Sequence, residues 1–261
     1  MQPDYRKIKD LVYPNDLFDL TGKVVLIIGG AGKIGHQFAQ TLSLAGADVT
    51  ISDYDQVKCN QVKDRLFSDM SINVRTILCD VRDEGEIQQT ISEIVNEHGK
   101  LDVLIYNVMA KPEGYYAPLQ DYNRETWDTV LSGNLTGAFF ASRDASIEMK
   151  KRGAGGSIIL TSSTYGMVGP DQRIYRKLKR ETNIYGGDYP LNSPASYSAS
   201  KSGLLGLTRY LATALGEDQI RVNMLTPGGV YDGQEEAFHS EYIKRTVLGR
   251  MATLSDYNGA V

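Results

Sequence analysis

Two cysteines, Cys59 and Cys79, are all the thiols the chain has in 261 residues. That number excludes a disulfide framework and a cysteine-built metal set, so no metal is expected. There is no long basic stripe, and the formal charge is -4, which argues against nucleic acid as the main partner. No apolar run approaches membrane-spanning length, and the opening Met1-Gln2-Pro3-Asp4-Tyr5-Arg6 has no apolar signal core. No membrane partner and a cytoplasmic location are therefore expected. What the chain does have is 41% hydrophobic residues, enough for one large core and one domain.

Residues 1–20 are polar with scattered apolar positions and read as an arm. Lys23–Ile28 is a continuous apolar run, the pattern of a strand buried on both faces of a parallel sheet. It leads into Gly29-Gly30-Ala31-Gly32-Lys33-Ile34-Gly35 and a helix carrying Phe38, Leu42 and Leu44, with Gly46 as its stop. Strand, glycine turn and helix in this order form a dinucleotide fingerprint. Gly29, Gly32 and Gly35 permit close backbone approach, and the amides around Lys33 and Ile34 face a pyrophosphate. The next strand, Asp48–Ser52, ends at Asp53, 18 residues after Gly35, where a carboxylate accepts adenosine ribose hydroxyls. Asp53 repels a ribose 2′-phosphate, whereas Lys33 attracts one. Asp53 is given more weight as the group nearer the ribose, so NAD is favoured, with NADP the alternative.

The alternation continues through a helix over about 56–68, a strand at 74–79, a helix over 84–98 closed by Gly99, and a strand at 103–106 followed by Asn107. Asp80 lies where adenine is expected, or caps the following helix. Residues 123–152 read as one long helix with Asn134 and Gly137 in its middle. Asparagine is a poor interior helix residue, so something should occupy its side chain. A fifth strand at 157–161 ends at Ser162-Ser163, and a sixth at 220–225 ends in the turn Thr226-Pro227-Gly228-Gly229. The whole is an α/β, doubly wound parallel sheet of the Rossmann kind in a single domain, over residues 21–261.

Between the last two strands, the stretch from Pro194 to Leu204 reads as a helix that stacks Tyr197 one turn from Lys201. A cation there would lower the tyrosine pKa towards the range of an acid/base catalyst. Spacing alone does not single out this pair, since Tyr5/Lys9, Tyr54/Lys58 and Tyr175/Lys179 share it. The ordered set of glycine turn, Asp80, Asn134-Leu135-Thr136-Gly137, Ser163, Tyr197/Lys201 and Asn223 through Pro227-Gly228 resembles the short-chain dehydrogenase/reductase family from about residue 18 onward. The resemblance implies an NAD(P)-dependent oxidoreductase that interconverts an alcohol and a ketone. It implies catalytic roles for four residues: Tyr197 as general acid/base, Lys201 lowering its pKa and holding the nicotinamide ribose, Ser163 (or Ser162) bonding the reacting oxygen, and Asn134 completing a relay through water. Val81, Asn107, Pro227, Gly228 and Val230 join Asp80 in the implied cofactor set, and homodimers or homotetramers are implied. The small residues Ala199, Ser200, Gly203 and Gly206 on the Tyr197 helix would admit a partner helix.

The chain departs from the family pattern in five places. Lys33 replaces the middle glycine of the usual spacing, although Gly32 supplies the same freedom one residue earlier. Val108-Met109 stand where smaller residues usually pack beside the cofactor. Asp232 stands where a threonine often contacts the carboxamide. The chain stops at Val261, so the family's last strand is expected to be lacking. Finally, 33 residues separate Ser163 from Tyr197, more than the family usually places there, and 169–193 reads as an insertion over the active site. Its Arg173, Arg176, Lys177, Lys179 and Arg180 outnumber Asp171, Glu181 and Asp188 and suit a carboxylate, phosphate or nucleotide-linked sugar. With Pro227–Tyr231 and Gln234, the loop is similar to oxidoreductases of bacterial surface-sugar synthesis, including flagellin-glycan and nonulosonic acid pathways. An acidic or nucleotide-activated sugar is the expected substrate. A 3-oxoacyl-thioester or small-ketone reductase, and a catalytically impaired nucleotide-binding protein, are the alternatives. A mobile helix over about 234–247 is expected to close over substrate.

Overall fold

In the computed structural model, β1 is Val24–Ile28, and all five of its side chains are buried, as an unbroken apolar run in the middle of a sheet requires. Residues 16–178 and 189–261 are described. Most of the 1–20 arm, Tyr5/Lys9, and Lys179, Arg180, Glu181 and Asp188 of the insertion lie outside them. The other strands are β2 (Asp48–Asp53), β3 (Arg75–Leu78), β4 (Val103–Tyr106), β5 (Gly156–Thr161) and β6 (Ile220–Leu225). All pairings are parallel, in the order β3-β2-β1-β4-β5-β6. Helices α1 (Lys33–Leu44), α2 (Gln56–Met70), α3 (Glu84–His98), α4 (Arg124–Leu131), α5 (Gly137–Arg152), α6 (Ala195–Ala214) and α7 (Glu236–Ile243) complete the chain.

The helices cover both faces. Val25 and Ile27 of β1 pack with Phe38, Leu42 and Leu66 of α1 and α2. Leu26 and Ile28 pack with Ile87, Ile91 and Ile94 of α3 and with Ala138, Ala141 and Met149 of α5. Alternation along one strand thus feeds two layers. The order reverses between β1 and β4, and the crevice outside the carboxyl ends of those strands is where such sheets bind ligands.

One local feature differs from the expectation. The single helix over 123–152 is interrupted by one π turn, Ser132–Thr136, between α4 and α5, and Asn134 sits in it. Among the described residues no seventh strand follows β6. Val230 forms a lone parallel bridge with Ala252, and Leu254–Ala260 is a 3-10 helix whose Tyr257, with Val261, packs on the α1 side of the core.

Candidate active site

The glycine turn is shaped by contact rather than by flexibility alone. Gly29 has φ +80°, and a Cβ there would lie 2.6 Å from the Asn107 carbonyl oxygen. A Cβ on Gly35 would lie 2.4 Å from the Gly29 oxygen, so the helix presses directly on the turn. Helices α2, α3 and α4 are capped by Asp55, Asp83 and Asn123. The N-terminus of α1, behind Gly32, has neither a side-chain cap nor an acidic residue in its first turn. Its N–H groups are thus arranged to take a diphosphate. Burial raises the pKa of Asp53, at the end of β2, against the pull of the nearby backbone amides of Asp55, Ala31 and Tyr54. It therefore lies beside the turn and half-buried, as a ribose acceptor needs to be. This donor set fits a dinucleotide.

The other residues of the implied cofactor set have these surroundings. Asn107 donates through Nδ2 to the Gly29 oxygen at 3.3 Å. Asp80 is held by the guanidinium of Arg82, which keeps its carboxyl below the usual range. The cap of α3 is Asp83, so the capping role considered for Asp80 does not hold. Val81 lies against Gly137. The Pro227 oxygen accepts from the Thr164 N–H at 3.0 Å, and the Val230 oxygen accepts from Gln234. Gly228 packs beside Tyr242 and Thr164. Lys33 makes an exposed ion pair with Asp232, joining the glycine turn to the loop after β6. Both departures from the family pattern are thus engaged with each other.

On the other side of the crevice, α6 carries Tyr197 and Lys201 one turn apart. The Tyr197 phenol lies beside Ser163, which acts on its ionisation, and the Ser163 Oγ accepts from the Tyr165 N–H at 3.2 Å. Ser162 faces away, donating to the Lys201 carbonyl at 2.7 Å, so Ser163 is the serine beside the phenol. Lys201 is 3% exposed. Its Nζ donates to the Thr161 oxygen at 2.7 Å and the Val108 oxygen at 3.0 Å, at the carboxyl ends of β5 and β4. Burial lowers its pKa to about 7. Burial raises that of Tyr197, with the neighbouring Ser163 pulling the other way. The expected lowering of the tyrosine by the lysine is not the direction found, because desolvation outweighs it and the amine is aimed at the two carbonyls.

Asn134 is fully buried and doubly engaged. Its Oδ1 accepts from the Ala110 N–H at 2.7 Å, and its Nδ2 donates to Ser200 Oγ at 3.0 Å. Ser200 in turn donates to the Tyr197 carbonyl. Of the small residues on α6, Ser200 is spent here, and a Cβ on Gly203 would strike Leu135 at 2.6 Å. Both therefore serve packing within the chain, while Gly206 has open space. Of the other tyrosine–lysine pairs, Tyr54 is exposed and Lys58 pairs with Asp55.

Sequence reasoning missed the aromatic wall on the substrate side. Tyr165 lies beside Tyr175, and Tyr175 packs on Phe238 with centroids 5.4 Å apart. Phe238 packs on Tyr242 at 5.6 Å, and Tyr242 accepts from the Gly229 N–H. Three chain segments contribute, and no periodicity marks them. Within the insertion, Arg173 is bound by Asp171 through two nitrogens, so its charge is not free for a ligand.

Residues 23–175 match the family described as short chain dehydrogenase, and residues 181–261 match the one described as Enoyl-(Acyl carrier protein) reductase. The chain is 32% identical over 226 residues to Short-chain dehydrogenase reductase 5 of Arabidopsis thaliana, covering 86% of this chain and 76% of that protein. It superposes with a TM-score of 0.80 and 29% identity on a short chain dehydrogenase from Leptospira borgpetersenii with bound NAD+, over 96% of this chain and 88% of that one. A gluconate 5-dehydrogenase from Burkholderia cenocepacia in complex with NADP and tartrate gives 0.78 and 25%, over 95% and 89%. The chain belongs to the short-chain dehydrogenase/reductase family of NAD(P)-using oxidoreductases.

Proposed function

We propose that this oxidoreductase interconverts an alcohol and a ketone on an acidic or nucleotide-activated sugar, with NAD as the preferred cofactor. The observation that carries the chemistry is the Tyr197 phenol beside Ser163, near an amine held at the ends of β4 and β5. When bound, NAD(P) supplies or accepts the hydride. Tyr197 takes the hydroxyl proton in oxidation or returns it in reduction, and Ser163 donates a hydrogen bond to the same oxygen. Lys201 holds the strand ends and the nicotinamide ribose. Asn134 fixes the segment after β4 to the Tyr197 helix through Ser200; it acts in this reading by position, in place of the relay through water.

Three observations support the sugar. Arg176 and Lys177 are exposed on the insertion, and the Burkholderia relative is named for gluconate, an acidic sugar, and holds tartrate. The aromatic wall offers faces and hydroxyls for a polyhydroxylated ring. A surface-sugar pathway of the flagellin-glycan or nonulosonic acid kind would use such a substrate. Reduction of an acyl thioester is the second reading, favoured by the match of 181–261. A catalytically impaired binding protein is the reading to beat. NAD is preferred because Asp53 lies at the turn while Lys33 is drawn to Asp232. Assembly into a homodimer or homotetramer is supported by Phe139, Ile147 and Tyr210, exposed on α5 and α6.

The test is a panel of acidic sugars, nucleotide sugars, neutral polyols and 3-oxoacyl thioesters, assayed with NAD and NADP. Tyr197→Phe should abolish turnover and leave NAD affinity within about twofold. Residual turnover near the parent level would remove Tyr197 from its role. Preference for a thioester would replace the sugar.

A further inference from the structure

The insertion and the helix over the site are fastened to each other. Asp171 opens the insertion's short 3-10 helix, Gln172–Tyr175, and its Oδ2 lies 2.7 Å from Nε of Arg245, just past the end of α7. Arg245 is also held by Glu241 of α7, through the carboxylate at 3.0 Å and the backbone oxygen at 2.6 Å. The aromatic contact between Tyr175 and Phe238 joins the same two segments independently. Beyond it, Tyr242 bonds the Gly229 N–H in the turn after β6. The ion pair is moderately shielded, with the Asp171 side chain 24% and the Arg245 side chain 35% exposed.

We propose that Asp171 and Arg245 form a clasp that docks the insertion onto α7 and thereby positions Tyr175 and Tyr242 as the substrate-side wall facing Tyr197. Both are positioning residues: they act on substrate through the tyrosines and touch no reacting atom. The inference rests on the oxidoreductase reading for its kinetic consequence, but the clasp itself does not. Because α7 is also held by the Tyr242–Gly229 bond and the Tyr231–His239 contact, loss of the ion pair should loosen it and not free it, so substrate affinity should respond and the proton transfer should not.

Arg245→Gln, Asp171→Asn and the double variant are compared with the parent in the full-length protein. Lys244→Gln serves as control, since Lys244 pairs with Glu241 and does not reach the insertion. In the nucleotide-free protein, hydrogen exchange at residues 236–243 should quicken by about threefold to fivefold in either single variant, the scale of a partly exposed ion pair. It should quicken no further in the double variant and stay at the parent rate in the control. KM for the substrate found in the panel should rise by a similar factor, with kcat and NAD affinity within about twofold of the parent. Unchanged exchange in the single variants, or effects that add in the double, would overturn the clasp and leave the redox reading standing. Faster exchange with no turnover on any alcohol or ketone would leave the clasp standing and sink the redox reading. A fall in kcat at constant KM would overturn the positioning role.

Discussion

An amine sealed under two carbonyls makes the folded chain sensitive to pH at a single residue. Burial lowers the Lys201 pKa from 10.5 to about 7. Between those values the unfolded chain carries the proton and the folded chain does not, so stability rises with pH across that window and flattens below it. Compared with Lys201→Met, the parent without nucleotide should gain on the order of a few kcal/mol from about pH 7 to about pH 10. Parallel denaturation curves across that range would refute the burial effect. At the glycine turn, Asp53→Ala should relax the preference for NAD over NADP. An unchanged ratio of kcat/KM would transfer the discrimination to Lys33 or to another group. These residues were readable from sequence because each sits at a strand end or at a fixed spacing on a helix. Tyr165 and Tyr242 were not, since an aromatic wall assembled from three separate segments has no repeat to betray it. The direction of the Tyr197 shift was also beyond reach, because desolvation depends on depth and not on spacing.

At the scale of elements, the break between α4 and α5 is held by contacts that leave no slack. Tyr106 on β4 donates to the Gly133 oxygen. A Cβ on Gly137 would lie 2.3 Å from the Tyr106 hydroxyl and 2.7 Å from the Val81 oxygen. Gly137→Ala would ordinarily favour a helix, but here overpacking should win, lowering stability by ~1–3 kcal/mol in denaturant titration. A stabilised variant would show that the π turn relaxes freely. The sequence indicated trouble at this point through an asparagine inside an apolar helical pattern, and the side chain is occupied as that reading required. What it did not show was the form of the answer: a wider turn that buries Asn134 and directs both ends of its amide to Ala110 and Ser200. The six strands, and the described α-helices apart from the break between α4 and α5, were legible because buried runs and caps recur with regular spacing. The helix expected over about 234–247 proved shorter, starting at Glu236 and ending at Ile243.

For the whole molecule, the open flank of α6 is the place to test assembly. A Cβ added to Gly206 would meet nothing within 4 Å outside its own helix backbone, so in a lone protomer Gly206→Ala should gain up to about 1 kcal/mol from helix propensity. If α6 meets a partner helix there, the added methyl should instead weaken association, and sedimentation should show dissociation at higher protein concentration than in the parent. An unaltered assembly with raised stability would remove Gly206 from the contact. The strand order carries one more consequence. β1 takes its outer neighbour early, at residues 48–52, but its inner neighbour is β4, with Val25 opposite Val103 and Ile28 opposite Tyr106. During synthesis the most apolar strand of the protein therefore leaves the ribosome with one flank bare, and keeps it bare until residue 106 has cleared the exit tunnel. Holding factors that bind exposed apolar backbone should associate with nascent chains in that interval and let go once β4 slots in.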